Sequence, residues 1–307
     1  MQIYLPIAEL SINIFLLFGM GAGVGFLSGM FGVGGGFVMT PLLIFAGVPP
    51  AVAVGSAAHQ LVASSVSAML AHLRRGSVDL LMGAVMTVGG LAGSAIGSWI
   101  FGLLRRAGQV DLVISLSFVV FLGAMGTIML FESAQVMLRG RDGMAPPRRK
   151  LHQHGWVHGL PFKIRFRKSR LYISALLPAG IGLGVGLLAS IMGVGGGFIM
   201  VPAMIYLLGM PTQMVIGTSL LQIAFVTASV TFFHALNTQT VDVVLSMVLL
   251  TGSVIGAQLG VRAGVGMKGE HLRGLLGVLV VAVALGLAWG LVAAPADLFS
   301  LTTEAGT

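Results

Sequence analysis

Two near-identical stretches decide how this chain is organised: GVGGGFVMTP at residues 32–41 and GVGGGFIMVP at residues 193–202. They lie 161 residues apart and agree at eight of ten positions, so the chain contains an internal repeat. The likeness continues downstream, where each half places a glycine, a small hydroxyl residue and a glutamine in the same order. The matched positions are Gly55, Ser56 and Gln60 in the first half and Gly217, Thr218 and Gln222 in the second.

The composition around these stretches indicates a membrane protein. Of the 307 residues, 56% are hydrophobic and only 8% are charged, and the mean hydropathy is +1.01. Apolar runs of about 20 residues recur, which is the length that a helix needs to cross a bilayer. Runs such as 112–131 do not alternate between apolar and polar residues, so a transmembrane β-barrel is excluded. The sequence therefore predicts an all-α polytopic membrane protein.

Each half divides into five apolar segments, of which the second is short. We expect a membrane repeat at 1–132, a basic connector at 133–170, a second membrane repeat at 171–295 and a tail at 296–307. The first apolar stretch follows Glu9 and no basic residue, so it is expected to be a retained helix. The segments are predicted at 10–30, 35–48, 51–72, 79–103, 111–131, 171–191, 197–209, 212–235, 241–261 and 272–293.

The charges of the loops favour an inverted orientation of the second repeat. If the basic connector is cytoplasmic, an inverted repeat also places Arg262, Lys268 and Arg273 inside and leaves the acidic tail outside, whereas a parallel repeat exchanges them. We therefore predict about ten segments in two five-segment inverted repeats. Whether the short second segments cross the membrane or are broken, re-entrant helices stays open at this point.

The glycine clusters should each end one helix and begin another, because glycine is unfavourable inside a helix by about 1 kcal/mol relative to alanine. Free N–H groups at a helix start attract anions, and glycine lets a ligand approach the backbone. The alternative is that these glycines only allow close helix packing, as the spacing of Gly89, Gly93 and Gly97 indicates. The candidate anion-binding glycines are Gly34, Gly35 and Gly36, with Gly195, Gly196 and Gly197.

Polar side chains follow each glycine cluster at the same distance. Amide and hydroxyl groups can donate hydrogen bonds to an oxyanion without burying a charge, although they can equally join neighbouring helices. His59 is the one titratable side chain several residues inside an apolar segment, so it could carry a proton or serve the structure. The candidate substrate-binding side chains are Ser56, His59, Gln60, Thr218, Ser219 and Gln222.

Several other classes of function are disfavoured. The chain has no cysteine, and it shows no Walker motif, no HExxH zinc helix and no pair of membrane-embedded carboxylates, so we expect neither an enzyme nor a cofactor. Ten of its 17 Lys and Arg lie in residues 139–170, which argues for a cytoplasmic connector and against nucleic-acid binding. A metal at His152, His154 and His158 is not expected, because the connector offers little carboxylate support.

The doubled GVGGGF…P motif, the following glycine, hydroxyl and glutamine positions and the basic connector resemble the TauE/SafE family of sulfite exporters and sulfonate permeases. The resemblance implies a multi-pass secondary carrier of the bacterial inner membrane, moving sulfite, a sulfonate or a similar small anion. Its expected partners are that anion and the lipid bilayer, and a homodimer is left open. An anion channel, or a membrane subunit of a larger complex, is the alternative reading.

Overall fold

The computed structural model describes residues 2–141, 162–264 and 269–292. In these residues it contains ten α-helices, as the sequence predicts, and two short β-hairpins. The helices are α1 Ile14–Phe31, α2 Gly36–Phe45, α3 Pro50–Arg74, α4 Leu80–Arg106, α5 Val110–Arg141, α6 Leu176–Met192, α7 Gly197–Tyr206, α8 Thr212–Phe233, α9 Val243–Gly264 and α10 Gly269–Val292. A π-helical turn at His234–Thr238 follows α8.

The lengths of the helices agree with a bilayer as solvent. Within the described residues, six helical stretches are long and apolar enough to cross a membrane. Helix α3 is also long, at 25 residues, but it carries buried serines and Gln60 that lower its hydropathy. Helices α2 and α7 have ten residues each, which corresponds to a rise of about 15 Å, or half of the hydrocarbon thickness.

Glycine faces bring α1 against α9 and α4 against α6. A Cβ added at these glycines would overlap the backbone of the facing helix, so only glycine allows the observed approach. The packing role predicted for the four-residue spacing in α4 is thereby confirmed. The contact pairs are Gly21 with Leu249, Gly25 with Ser253, Gly29 with Ala257, Gly89 with Ala179, Gly93 with Leu183 and Gly97 with Leu187.

These contacts also show which helices run in the same direction. The residue numbers rise together on both sides of each interface, so α1 runs parallel to α9, and α4 runs parallel to α6. By contrast, α3 and α8 run in opposite directions. Ser77, just after the end of α3, lies against Gly217 near the start of α8, and Gly55 near the start of α3 lies against Thr240 beyond the end of α8.

The short helices α2 and α7 each lead from the middle of the bundle to one of its faces. Gly36, the first residue of α2, lies against Leu61 in the middle of α3, and only four residues separate the end of α2 from the start of α3. Gly197, the first residue of α7, lies in the same way against Ile223 in the middle of α8. Neither short helix therefore spans the full length of its neighbours.

The two β-hairpins are a feature that the sequence analysis did not predict. Strand β1 (Gln2–Leu5) pairs with β2 (Leu10–Asn13) before α1, and β3 (Lys163–Phe166) pairs with β4 (Leu171–Ser174) before α6. The two hairpins lie 161 residues apart, the same offset as the glycine motifs, and Glu9 and Arg170 have matching φ angles of 54° and 53°. Each hairpin is thus the first element of its repeat.

The predicted divisions of the chain are only partly covered by the described residues. The connector predicted at 133–170 includes β3 and the turn that follows it, so the second repeated unit begins before residue 171. Residues 142–161, which include His152, His154 and His158, lie outside the described part of the chain, as does the tail at 296–307.

Candidate functional site

The two glycine breaks, defined as residues 32–36 and 193–197, adopt the same backbone conformation. Gly32, Gly34 and Gly35 have φ angles of 69°, 84° and 67°, in the left-handed region that side-chain-bearing residues rarely adopt. In the second break Gly193, Gly195 and Gly196 have φ angles of 69°, 69° and 71°. The backbone conformation therefore requires glycine at three positions of the motif in each half, whether or not the motif binds a ligand.

The remaining glycine of each break is required by contact with the other break. A Cβ at Gly36 would lie 2.8 Å from the Val194 backbone, and a Cβ at Gly197 would overlap the carbonyl group of Val33. The first phenylalanines of the short helices, Phe37 and Phe198, also face each other, with ring centroids 6.4 Å apart. The structure thus brings the two predicted glycine clusters together at the centre of the bundle.

Several backbone amides at the breaks have no backbone acceptor in the described part of the chain. The N–H groups of Val38 and Met39 donate to the Gly35 carbonyl, at 3.0 and 3.1 Å, whereas those of Gly34 and Phe37 donate to no backbone carbonyl. The second break repeats this pattern. Unpaired amides at a helix start carry partial positive charge, so they could hold an anion. The amides without a backbone acceptor belong to Val33, Gly34, Gly35, Phe37, Val194, Gly195, Gly196, Gly197 and Phe198.

Gln60 and Gln222 are fully buried, and each precedes a residue that contacts the break glycines. Their chain neighbours Leu61 and Ile223 make the direct contacts with the break glycines. The amide nitrogen and oxygen of both glutamines have no hydrogen-bond partner in the described structure, and the Gln222 nitrogen packs on Gly90 of α4. A buried polar group without a partner costs about 1–3 kcal/mol, so a water or a ligand that bonds to these amides would offset that cost.

Ser56 and Thr218 join neighbouring helices, which is the alternative role that the sequence left open. Ser56 Oγ accepts a hydrogen bond from the Asp242 amide at 3.0 Å, and Thr218 Oγ1 accepts one from the Asp79 amide at 3.0 Å. Each hydroxyl therefore joins the middle helix of one half to a helix start in the other half. Their predicted role in binding substrate stays a prediction.

Ser219 and His59 also make defined contacts. Ser219 Oγ donates to the Gly32 carbonyl at 2.7 Å, so it holds the first break in place. His59 Nδ1 lies 2.7 Å from Ser246 Oγ of α9 and the ring is half-buried. The equivalent position in the other half holds Leu221, which packs on Gly83 of α4. The two repeats therefore differ at this position, where the first has a polar histidine and the second an apolar leucine.

Asp79 and Asp242 connect the hairpins to the helix bundle. Each caps a helix start: Asp79 Oδ1 accepts from the Met82 amide at 3.1 Å, and Asp242 Oδ1 accepts from the Leu245 amide at 3.0 Å. Each second oxygen accepts from the turn of a hairpin in the opposite repeat. Asp79 Oδ2 accepts from the Ser169 amide and hydroxyl, at 3.0 and 2.6 Å.

The first hairpin makes the corresponding contact in the other half. Asp242 Oδ2 accepts from the Ile7 amide at 2.9 Å and the Ala8 amide at 3.4 Å. The carboxylates are almost or wholly buried, so these bonds fix each turn firmly. A signal for them existed in the sequence, since the offset of 161 also aligns QIYLPIAELSIN at 2–13 with KIRFRKSRLYIS at 163–174.

Comparisons with known proteins agree with this architecture. The family model described as "Sulfite exporter TauE/SafE" matches residues 17–287. A "Probable membrane transporter protein" of Xylella fastidiosa strain 9a5c is 29% identical over 90% of this chain and 95% of its own length. "Probable membrane transporter protein YunE" of Bacillus subtilis strain 168 is 25% identical over 89% of this chain and 96% of its own length. No solved structure matches.

The helix bundle and these relatives define the class of the molecule, a multi-pass α-helical membrane transporter. The chain belongs to the TauE/SafE family, whose model covers nearly its whole length.

Proposed function

We propose that this protein is a secondary transporter that moves a small sulfur-containing anion, sulfite or a sulfonate, across the bacterial inner membrane by alternating access. Two observations carry the proposal: the two glycine breaks meet at the centre of the bundle, and the helices that contact them carry Gln60 and Gln222, whose amides are buried without partners. The family description, which names a sulfite exporter, supports the choice of anion.

The donors at this centre suit an oxyanion. Backbone amides of both breaks and the two glutamine NH₂ groups can donate hydrogen bonds, while no Lys or Arg occurs in the segments that form it. A fixed cation would hold an anion strongly, but at the bilayer centre it costs about 3 kcal/mol even on lenient scales. Neutral donors let the anion bind without that cost and leave again, as transport requires.

We further propose that the two repeats are inverted in the membrane. The opposite directions of α3 and α8, together with the parallel pairs α1/α9 and α4/α6, support this arrangement. The same order of residues then leads towards the centre from either face: a hairpin turn, an aspartate, a hydroxyl and, four residues further along the same helix, a glutamine. From one face these are Ser169, Asp79, Thr218 and Gln222. From the other they are Ala8, Asp242, Ser56 and Gln60.

In this mechanism each hairpin turn closes one route to the centre. Alternating access would release one turn from its aspartate while the other stays bound, so the anion reaches the breaks from one side at a time. The hydrogen bonds that must break are few and local, which suits a movement between two states of similar free energy. His59, bonded to Ser246, is the proposed carrier of a coupled proton.

The orientation of the bundle follows from its charges. The face that holds the end of α3 and the β3–β4 hairpin carries Arg74, Arg75 and Arg262, in addition to the cations of the hairpin. The opposite face holds Arg105 and Arg106. Because cytoplasmic loops are enriched in Lys and Arg, we place the β3–β4 face in the cytoplasm.

Uptake into proteoliposomes tests the proposal. Labelled sulfite and a labelled short-chain sulfonate would be supplied to vesicles that contain the wild-type chain, Gly35→Leu or Gln60→Ala. We expect saturable uptake by the wild type and a loss of at least tenfold in both variants, because each removes a donor or fills the break. Gly19→Leu, at a glycine with open space around it, and Gln109→Ala, at an exposed position, should transport normally.

Two outcomes would reject this function. Uptake that is equal in all four variants would remove the central site. An electrical conductance that rises with anion concentration and does not saturate would indicate a channel.

A further inference from the structure

The β3–β4 hairpin carries a concentrated positive charge beside an open cavity. Residues 162–175 contain five Lys and Arg and no Asp or Glu. A cavity of about 880 Å³ lies against this hairpin, and three of its lining residues are arginines with exposed side chains. The lining residues are Arg165, Phe166, Arg167, Arg170, Leu171 and Tyr172.

The carboxylate closest to this hairpin in the hydrogen-bond network does not neutralise the arginines. Both oxygens of Asp79 accept from backbone or hydroxyl donors, namely the Met82 amide and the amide and hydroxyl of Ser169. Lys168 is also committed, because its Nζ donates to the Val78 carbonyl at 3.1 Å. The turn is thus fixed in place while the three guanidinium groups stay directed to the cavity and its surroundings.

The equivalent hairpin in the first repeat provides an internal contrast. Strands β1 and β2 have the same register and the same turn conformation, but residues 2–13 contain no Lys or Arg. Glu9 occupies the position that corresponds to Arg170, and both residues have a positive φ angle. The fold of the hairpin therefore does not need cations. Their presence on the hairpin that we place in the cytoplasm agrees with the enrichment of Lys and Arg on that side, and it leaves them available to bind an anionic group.

The cavity lies at one end of the helix bundle, where lipid headgroups are expected. Strand β4 leads into α6 after a single residue, so the hairpin stands at the end of a membrane-spanning bundle. Its exposed aromatic side chains, Phe162 at 74% and Tyr172 at 63% exposure, are of the kind that concentrates at the membrane–water boundary. Buried Phe166 and half-buried Leu171 give the cavity an apolar wall next to its cationic rim.

We propose that Arg165, Arg167 and Arg170 form a binding site for the phosphate group of an anionic phospholipid, seated in this cavity with its acyl chains along α6. Guanidinium groups bind phosphate oxygens in pairs, and the apolar wall accepts the glycerol and upper acyl region. The site is separate from the central breaks. It anchors the basic hairpin, and with it the turn that contacts Asp79, to one leaflet.

Native mass spectrometry of the delipidated full chain in neutral detergent tests this site. Phosphatidylglycerol would be titrated against the wild type and against the triple variant Arg165→Gln, Arg167→Gln, Arg170→Gln. Each cation near an anionic headgroup contributes about a factor of five, so the triple variant should bind roughly 100-fold more weakly at low salt. A matched triple variant removes three exposed arginines elsewhere and should bind like the wild type: Arg74→Gln, Arg106→Gln, Arg262→Gln.

Further comparisons distinguish a specific lipid site from non-specific electrostatic attraction and from a site for free anions. The wild type should prefer phosphatidylglycerol to phosphatidylcholine by at least tenfold, and millimolar inorganic phosphate should not displace the lipid. Equal losses in the two triple variants would overturn the proposal, as would equal binding of the two lipids. Displacement by inorganic phosphate would assign the cavity to a free anion instead. Sulfite uptake by the arginine variant, measured in parallel, reports on the central site independently.

Discussion

Replacing Gln60 by leucine should raise stability while it abolishes transport. The side chain is fully buried and neither of its amide atoms has a hydrogen-bond partner in the described structure. Leucine has a similar volume and no polar atom, so the variant removes an unsatisfied group whose burial costs about 1–3 kcal/mol. The free energy of unfolding should therefore stay level or rise by up to about 3 kcal/mol. Gln222→Leu should behave in the same way.

Thermal unfolding of purified protein, with and without sulfite, measures both effects. Sulfite at ten times its dissociation constant should stabilise the wild type by about 1.4 kcal/mol, since a ligand that binds only the folded state shifts the equilibrium. That shift should disappear in Gln60→Leu and Gln222→Leu, together with uptake into proteoliposomes. A variant that is destabilised by more than about 2 kcal/mol, or that keeps the sulfite shift, would refute the reasoning.

A third glutamine supplies the matched control. The Gln258 amide nitrogen donates to the Ser67 carbonyl at 3.1 Å and to the Ser67 hydroxyl at 2.7 Å, joining α9 to α3. Gln258→Leu should therefore lower the free energy of unfolding by about 1–2 kcal/mol and leave the sulfite shift intact. Replacing glutamine by leucine should thus lower the free energy of unfolding at the hydrogen-bonded Gln258, and maintain or raise it at the unpartnered Gln60 and Gln222.

Three further predictions follow from the packing and the hairpins. Asp79→Asn keeps an oxygen for the helix cap but loses the charged acceptor of the hairpin turn, so thermal unfolding should show a loss of about 1.5–3 kcal/mol; wild-type stability would contradict the contact. Gly93→Val should destabilise the α4/α6 interface by at least about 1–3 kcal/mol, whereas Gly102→Val, which has open space, should not. Because the chain has no cysteine, Glu9→Cys and Arg170→Cys should react with an impermeant maleimide from opposite sides of the membrane; labelling from one side would reject the inverted arrangement.

The helices were predictable because lipid imposes strong requirements on sequence. An apolar run of sufficient length must form a helix in the hydrocarbon, so the predicted segment at 79–103 corresponds to α4 at Leu80–Arg106 and the segment at 212–235 to α8 at Thr212–Phe233. The glycine breaks were equally visible, since clustered glycine interrupts a helix. Their meeting at the centre is observed in the contact of Gly36 with Val194.

The hairpins and their aspartates were not predictable by the same means. Strands of four residues carry too little periodicity to be distinguished from loop, and β3 lies inside a basic run that resembles a connector. The partner of each aspartate lies far away in sequence: Ser169 is 90 residues from Asp79, and Ile7 is 235 residues from Asp242. Capping is the local part of their role, because an aspartate directly before an apolar helix is a common N-cap, whereas the contact between repeats depends on tertiary structure.

The predicted polar side chains turn out to have different hydrogen-bonding states, and the sequence could not show this because it depends on tertiary contacts. Ser56 and Gln60 share a face of α3 by spacing, but only the fold shows that Ser56 already bonds to Asp242 while Gln60 has no partner. Sequence alone gives residue type and helical phase. Whether a hydroxyl or an amide has a hydrogen-bond partner depends on the neighbouring helix. Since Gln60 and Gln222 have none, they are the stronger candidates for binding a substrate.

Counterflow of labelled sulfite tests the central claim most directly. Proteoliposomes that contain the wild-type chain would be loaded with unlabelled sulfite and diluted into a trace of labelled sulfite at equal pH and with no membrane potential. A carrier whose central site opens to one side at a time should accumulate the label transiently above its equilibrium level. Label that only equilibrates, or that does not enter, would contradict transport of sulfite by alternating access.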